Sequence, residues 1–427
     1  MNIRFCNARI LTMADGMNII ENGELHVRGD KITYIGSTEK RENLTRQWDK
    51  TIDLKGNLIM PGFKNCHTHS GMTFLRSRAD DLKLQDWLFN EVFPLEAKLT
   101  DEDIYYCTKL AILEYLTSGV TTICDMYLSP KAIAKATEQL GMRCVQCGAL
   151  SGDVGEGKVG KMRELYNSLN GKHPLTSYRL GIHAEYTNTK ANLEEMAKLV
   201  DELKAPVYLH NSETAREVEE CKERYGMTPT AFLDSLGMFN YGGVSFHGVH
   251  VTDEDMDIMK KHNMSVITNP ASNVKLASGI APIERYLEKG INIGIGTDGP
   301  ASNNCLDMFR EMFLVTGLAK LRENNAAAVD AYRVLEMATV NGARAIGLDD
   351  SDVLAPGKNA DLIVIDLHQP NMQPINNIVK NIVYSGSKSN VKMTMIAGKI
   401  LYENGRFYVG EDEDAIYRDA QNVIDKM

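Results

Sequence analysis

Long apolar runs are missing from this chain. No stretch of its 427 residues is apolar enough for long enough to span a bilayer, so a membrane-spanning helix is not expected. The first residues, Met1-Asn2-Ile3-Arg4-Phe5, lack the charged-then-apolar form of a secretory signal. An excess of basic residues is also missing. Lys and Arg number 47 against 57 Asp and Glu, a formal net charge of −10. That sign suits neither nucleic acid nor a phospholipid surface, and neither partner is expected. A neutral small molecule in a cleft fits it. There is no internal repeat and no low-complexity segment, and composition gives no sign of disorder. Cysteine is modest: eight residues, scattered, read as reduced core thiols of a cytoplasmic protein. Cys144-x-x-Cys147 has no second pair to face it, and a four-sulfur zinc site needs one. Both are read as small buried hydrophobes.

What is present is an orderly alternation. The length suits a barrel of about 250–300 residues plus a second module. The start of the chain reads as short strands over 4–12, 23–27 and 31–35, with a turn at Arg28-Gly29-Asp30. The end has the same texture over 360–366, 378–385 and 391–401. The two ends are expected to pair into one small β-sandwich. Between them strands and helices alternate, which predicts parallel β/α units. Eight candidate strands end near His69, Asp125, Cys147, His183, His210, His247, Thr268 and Asp298. Helices are expected over 100–118, 129–140, 190–203 and 253–262. The reading is an α/β fold: a (β/α)8 TIM-like barrel over 58–349, flanked by β-sandwich halves over 1–57 and 350–427. In such barrels the chemistry sits at the C-terminal ends of the strands.

The polar motifs fall at those ends. Pro61-Gly62-Phe63-Lys64-Asn65-Cys66-His67-Thr68-His69 follows the apolar Leu58-Ile59-Met60. Residues i and i+2 of a strand share a face, so His67 and His69 can offer two imidazoles to one cation. His210-Asn211-Ser212-Glu213 follows a second apolar run. His210 can be a further ligand, and Glu213, three residues on, can move a proton once burial lifts its pKa. His247 ends a third run and can be a ligand, a proton shuttle or a substrate contact. Asp298 lies between an apolar strand and the loop Gly299-Pro300-Ala301-Ser302-Asn303-Asn304. A carboxylate there can bind metal and take a proton from water. Alone, each motif has a plainer reading: solvated histidines, a helix cap, a core histidine, an Asx-turn. Four strand ends together point to a metal hydrolase site. The strand ending at His183 offers no Lys for a bridging group, so one metal is expected. The His-x-Glu plus Pro-Cys-x-x-Cys pattern of the other zinc-deaminase design is absent.

These motifs resemble the mononuclear branch of the amidohydrolase superfamily over nearly the whole chain. Within it the sequence is most similar to the 5′-methylthioadenosine/S-adenosylhomocysteine deaminases, with the triazine chlorohydrolases as near relatives. The resemblance rests also on Met72-Thr73-Phe74-Leu75-Arg76, Ala79-Asp80-Asp81-Leu82, Trp87-Leu88, Pro94-Leu95-Glu96, Asn269-Pro270-Ala271-Ser272-Asn273 and Pro356-Gly357-Lys358-Asn359-Ala360-Asp361. It implies His67, His69, His210 and Asp298 as metal ligands, and Glu213, His247 and Asp298 as catalytic residues. It implies Trp87, Glu96, His183, Glu213 and Ser302 as substrate contacts, with Glu96 on the ribose hydroxyls. The implied cofactor is one divalent metal, zinc first, with iron and manganese served by the same donors. The implied reaction is deamination of an adenine nucleoside to its inosine form. Rival readings are a hydrolase of a triazine-like heterocycle and a non-catalytic scaffold. One departure stands out. Some family members clamp the homocysteine carboxylate with arginines after the third strand, where this chain has Gln146-Cys147-Gly148-Ala149-Leu150. Lys158, Lys161 or Arg163 would have to serve instead, and Lys is a point charge rather than a fork. Methylthioadenosine, 5′-deoxyadenosine and adenosine need no such clamp. Barrels of this size often associate, so a homo-oligomer stays open.

Overall fold

A computed structural model describes all residues except 15, 38–46, 79 and 154–156. Ala79 of the motif above therefore lies outside the described residues. Eight parallel strands form the central sheet, in chain order: Phe63–Thr68, Val120–Met126, Arg143–Cys147, Thr176–Ile182, Val207–Asn211, Gly243–His247, Ser265–Thr268 and Asn292–Ile295. Strands of such a barrel are covered on both faces, and Val120–Met126 is buried along its whole length although it carries Thr121, Thr122 and Asp125. The last strand returns to the first. Asp298 N donates to His67 O at 3.0 Å. Asn65 clamps the same seam, its Oδ1 accepting from Thr297 N at 2.9 Å and its Nδ2 donating to Thr297 Oγ1 at 2.7 Å. These contacts bring the two edge strands together and nearly close the sheet into a barrel.

The expected helices are present at Asp101–Thr117, Pro130–Leu140, Lys190–Leu203 and Asp253–Lys261. Two begin with reciprocal caps, Thr100 with Asp103 and Thr252 with Asp255, which satisfy otherwise unpaired N–H groups of the first turn.

Both ends of the chain build the second sheet. Its nine strands run from Arg406–Phe407 through Leu362–Ile365 and Leu58–Pro61 to Lys31–Ser37, with Lys50–Asp53 paired beside Asn2–Leu11. The two ends meet where Leu362–Ile365 pairs antiparallel with Leu58–Pro61. The sheet curls over a small core that includes Phe5, Leu25, Val27, Ile59, Leu362 and Val364. The hairpin turns touch closely: a Cβ on Gly398 would fall 1.9 Å from Gly29 O, so only glycine fits there.

Two expectations need correction. Leu58–Pro61, expected at the head of the barrel, belongs to this terminal sheet. The chain crosses into the barrel at Gly62, where a Cβ would lie 2.1 Å from the Thr121 side chain. The stretch 378–385, expected as a strand, is helical: Ile378–Lys380 runs on into a π-helical turn, Asn381–Ser385. Its buried residues, Ile378, Val379, Ile382 and Val383, recur at one-turn spacing rather than at every second position. All eight cysteines are free thiols, Cys144 and Cys147 among the buried ones. No described helix is long and apolar enough to cross a membrane.

Candidate active site

Four side chains converge at the C-terminal mouth of the barrel. His67 ends the first strand, His69 follows it, His210 lies on the fifth, and Asp298 follows the eighth. One ligand atom from each lies within 4.8 Å of all the others, and all four residues are buried. This donor set fits a divalent cation. His67 Nδ1 is buried without a hydrogen-bond partner, and its Nε2 has only the Asp298 carboxylate beside it. Burial pushes its pKa down to about 3, so the ring is neutral and free to coordinate. His69 Nδ1 meets the carbonyl of Met126, and His210 Nδ1 meets that of His183 at 2.6 Å. Each carbonyl accepts a ring N–H, which leaves the Nε2 lone pairs to turn inward. Asp298 Oδ1 stands 3.1 Å from His69 Nε2 and 3.4 Å from His67 Nε2. Burial alone would lift this carboxyl; its contacts with His67 and His69 outweigh burial and hold it well below the usual range. Its Oδ2 also accepts from Ser272 at 2.6 Å and Ser302 at 2.8 Å.

Glu213 lies in the same cavity, close to His247. Its Oε1 accepts from Ser278 Oγ at 3.1 Å, and its Oε2 is 3.8 Å from His247 Nε2. Burial pushes its pKa up, and only part of that is offset by His247. His247 Nδ1 pairs with Asn273 Oδ1 at 2.8 Å, so its N–H sits there and Nε2 faces the cavity. His247 and Asp298 both carry positive φ, 68° and 59°. Non-glycine residues seldom hold this conformation, and such strain gathers where side-chain aim matters. Behind Glu213 is a second buried carboxyl. Glu217 accepts from Ser212 N at 2.9 Å and Glu213 N at 2.7 Å. Burial and the nearby Glu213 push Glu217 up to about 7.

Trp87, Glu96, His183, Glu213 and His247 line the cavity together with His69, His210 and Asp298. Burial pushes His183 down to about 4, so it is neutral near pH 7. Ser302 is placed otherwise. It is buried behind Asp298, donates to that carboxylate, and is not among the lining residues. The rest of the wall is largely apolar, with Leu84, Leu88, Phe93, Leu128 and Leu276. Among the described lining residues there is no Lys or Arg. Arg163 forks onto Glu202 at 2.9 and 2.7 Å on the surface, and Lys158 Nζ donates to Ser151 O at 2.9 Å. Lys161 is exposed.

Sequence reasoning missed the supports: Ser272, Asn273, Ser278 and Glu217. The first two stand inside the quoted Asn269–Asn273 motif, so a signal existed for them. Glu217 has none beyond its place in a helix whose first turn is otherwise ordinary.

Comparison with known proteins agrees with this geometry. The model of the amidohydrolase family matches residues 58–401. The 5-methylthioadenosine/S-adenosylhomocysteine deaminase of Thermoanaerobacter pseudethanolicus is 38% identical, with 100% of each chain covered. The protein of the same name from Caldanaerobacter subterraneus subsp. tengcongensis is 40% identical over 99% of each. Among solved structures, an adenosine deaminase from Xanthomonas campestris with bound zinc superposes at a TM-score of 0.93, with 32% identity, 100% of this chain and 98% of that one. A family match across most of the sequence, and relatives alike from end to end, make this chain a member of the amidohydrolase family.

Proposed function

We propose that this protein is a metal-dependent hydrolytic deaminase that converts an adenine nucleoside to its inosine form and ammonia. The observation that carries the reading is Glu213: a buried carboxyl with a raised pKa, 3.8 Å from His247, in one cavity with the His–His–His–Asp cluster. The names of the relatives above point the same way. We assign zinc to His67, His69, His210 and Asp298, as three imidazoles and a carboxylate suit it and a similar protein holds it.

When held there, the ion would supply Lewis acidity, which makes water nucleophilic near neutral pH. The residues do the rest. Asp298, held ionised, takes a proton from the attacking water, and His247 Nε2 assists it. Oxygen joins C6 of the purine. Glu213 gives its proton to N1, so no negative charge builds on the ring. The proton taken by Asp298 is then passed to the exocyclic nitrogen, the C6–N bond breaks as the new C6–OH gives its proton back to Glu213, and ammonia leaves. Ser272 and Ser302 orient Asp298 through its Oδ2. His183 contacts the base, and Trp87 and Glu96 take the sugar.

The 5′ group meets a largely apolar wall without a cation among its described lining residues. A carboxylate tail there finds no cationic partner among those residues, and a buried unpaired charge is costly. Methylthioadenosine, 5′-deoxyadenosine and adenosine are therefore preferred to S-adenosylhomocysteine. The test is loss of adenine absorbance when zinc-loaded protein meets these four nucleosides. Conversion of the neutral ones, with S-adenosylhomocysteine slowest, is the expected result. A protein that holds one metal per chain and converts none of them overturns the substrate class.

A further inference from the structure

We propose that Tyr127 is a third contact to the sugar, its hydroxyl donating to the vicinal diol beside Glu96 and Trp87. The inference rests on the nucleoside reading above. Tyr127 directly follows the second barrel strand, Val120–Met126, and lines the cavity. It is only 6% exposed, and its Oη makes no well-formed hydrogen bond, although the Glu96 carboxylate lies close beside it. Trp87 Nε1 and Glu96 Oε1 are likewise buried without a well-formed hydrogen bond, in the same cavity. A tyrosine placed only for packing normally finds a partner for its hydroxyl. Three polar atoms in one cavity that make no well-formed hydrogen bond point to a ligand that completes them.

The donor count matches a diol. Trp87 offers one N–H and Tyr127 one O–H, while the Glu96 carboxylate only accepts. A vicinal diol supplies two O–H donors for Glu96 and two oxygens to accept from Trp87 and Tyr127. Burial and the neighbouring Glu96 push the phenol pKa well up, so the hydroxyl keeps its proton and serves as a donor.

The ring is well anchored. A Cβ on Gly71 would fall 2.3 Å from Tyr127 Cε1, so the ring packs closely against a residue with no side chain. The preceding residue, Met126, gives its carbonyl to His69. Removal of the hydroxyl alone leaves this packing in place, which makes Tyr127→Phe a clean probe.

The experiment compares adenosine with 2′,3′-dideoxyadenosine on zinc-loaded wild type and Tyr127→Phe. For adenosine, kcat/KM is expected to fall about ten-fold, mostly through KM, the size of one lost hydrogen bond in a buried site. For the dideoxy substrate the two proteins should agree within about two-fold, because the partner oxygens are gone. Metal content and Tm should not change. Equal losses on both substrates would make Tyr127 a structural residue, and no loss on either would leave it without a role. Both results overturn the inference while wild-type turnover of adenosine keeps the deaminase reading intact. A wild type that converts neither nucleoside overturns that reading, and this inference with it.

Discussion

Glu217 carries opposing forces that a single substitution can separate. Two backbone N–H groups, from Ser212 and Glu213, point at its oxygens and favour the charged form. Burial and the charge of Glu213 favour the neutral form, and they win, pushing its pKa up to about 7. An acid with a raised folded pKa adds stability that is complete below the unfolded pKa, about 4.5. That stability is lost as pH rises through the folded value. The shift is about 2.5 units, so the loss across that window is at most about 3 kcal/mol. Glu217→Gln is permanently neutral and has no such slope. It keeps one acceptor but turns an amide toward the other N–H, which costs about 1–2 kcal/mol. The variant should therefore melt below wild type at pH 4.5 and close on it, or pass it, by pH 7.5. For a chain of this length 1 kcal/mol is about 1 °C, so the gap should move by about 3 °C. Thermal scans of both metal-loaded proteins at matched pH values measure it. A gap that stays constant across the window would refute the argument, because the backbone donors would then have kept Glu217 charged throughout.

Other substitutions read other parts of the site. Glu213→Gln should keep metal and nucleoside binding and lose at least about 100-fold in kcat, since no proton reaches N1; near-normal turnover would remove its role. Asn273→Ala frees His247 Nδ1 from its 2.8 Å partner and should lower kcat about ten-fold with metal content unchanged; a fall in bound metal would instead place the effect at the ligands. Leu128→Arg puts a guanidinium on the partly exposed rim of the cavity. It should raise kcat/KM for S-adenosylhomocysteine relative to methylthioadenosine by about ten-fold, and an unchanged ratio would mean the 5′ tail leaves the cavity elsewhere.

Much of this was legible from residue order. A histidine or aspartate at the end of an apolar strand marks the mouth of a barrel, and His67, His210, His247 and Asp298 all announce themselves so. Trp87 and Glu96 were reached through resemblance, since neither spacing nor strand position brings them to the cavity wall. Ser302 shows the limit of that route: its hydroxyl turns to Asp298, a direction that residue order does not reveal. Ile378–Ser385 misled because β-branched residues filled a helical face. Tyr127 was invisible because a tyrosine after a strand looks the same whether its hydroxyl is satisfied or bare.

The seam of the barrel has a consequence for how the protein is made. His67 and His69 come from its first strand and Asp298 from beyond its last, and the two meet across the closing contact between Asp298 N and His67 O. On the ribosome some 230 residues must emerge between them. A nascent chain has its histidines early but no complete cage until the eighth strand docks. A metal ion held by all four residues would be completed only after ring closure, and it would tie the first and last strands together.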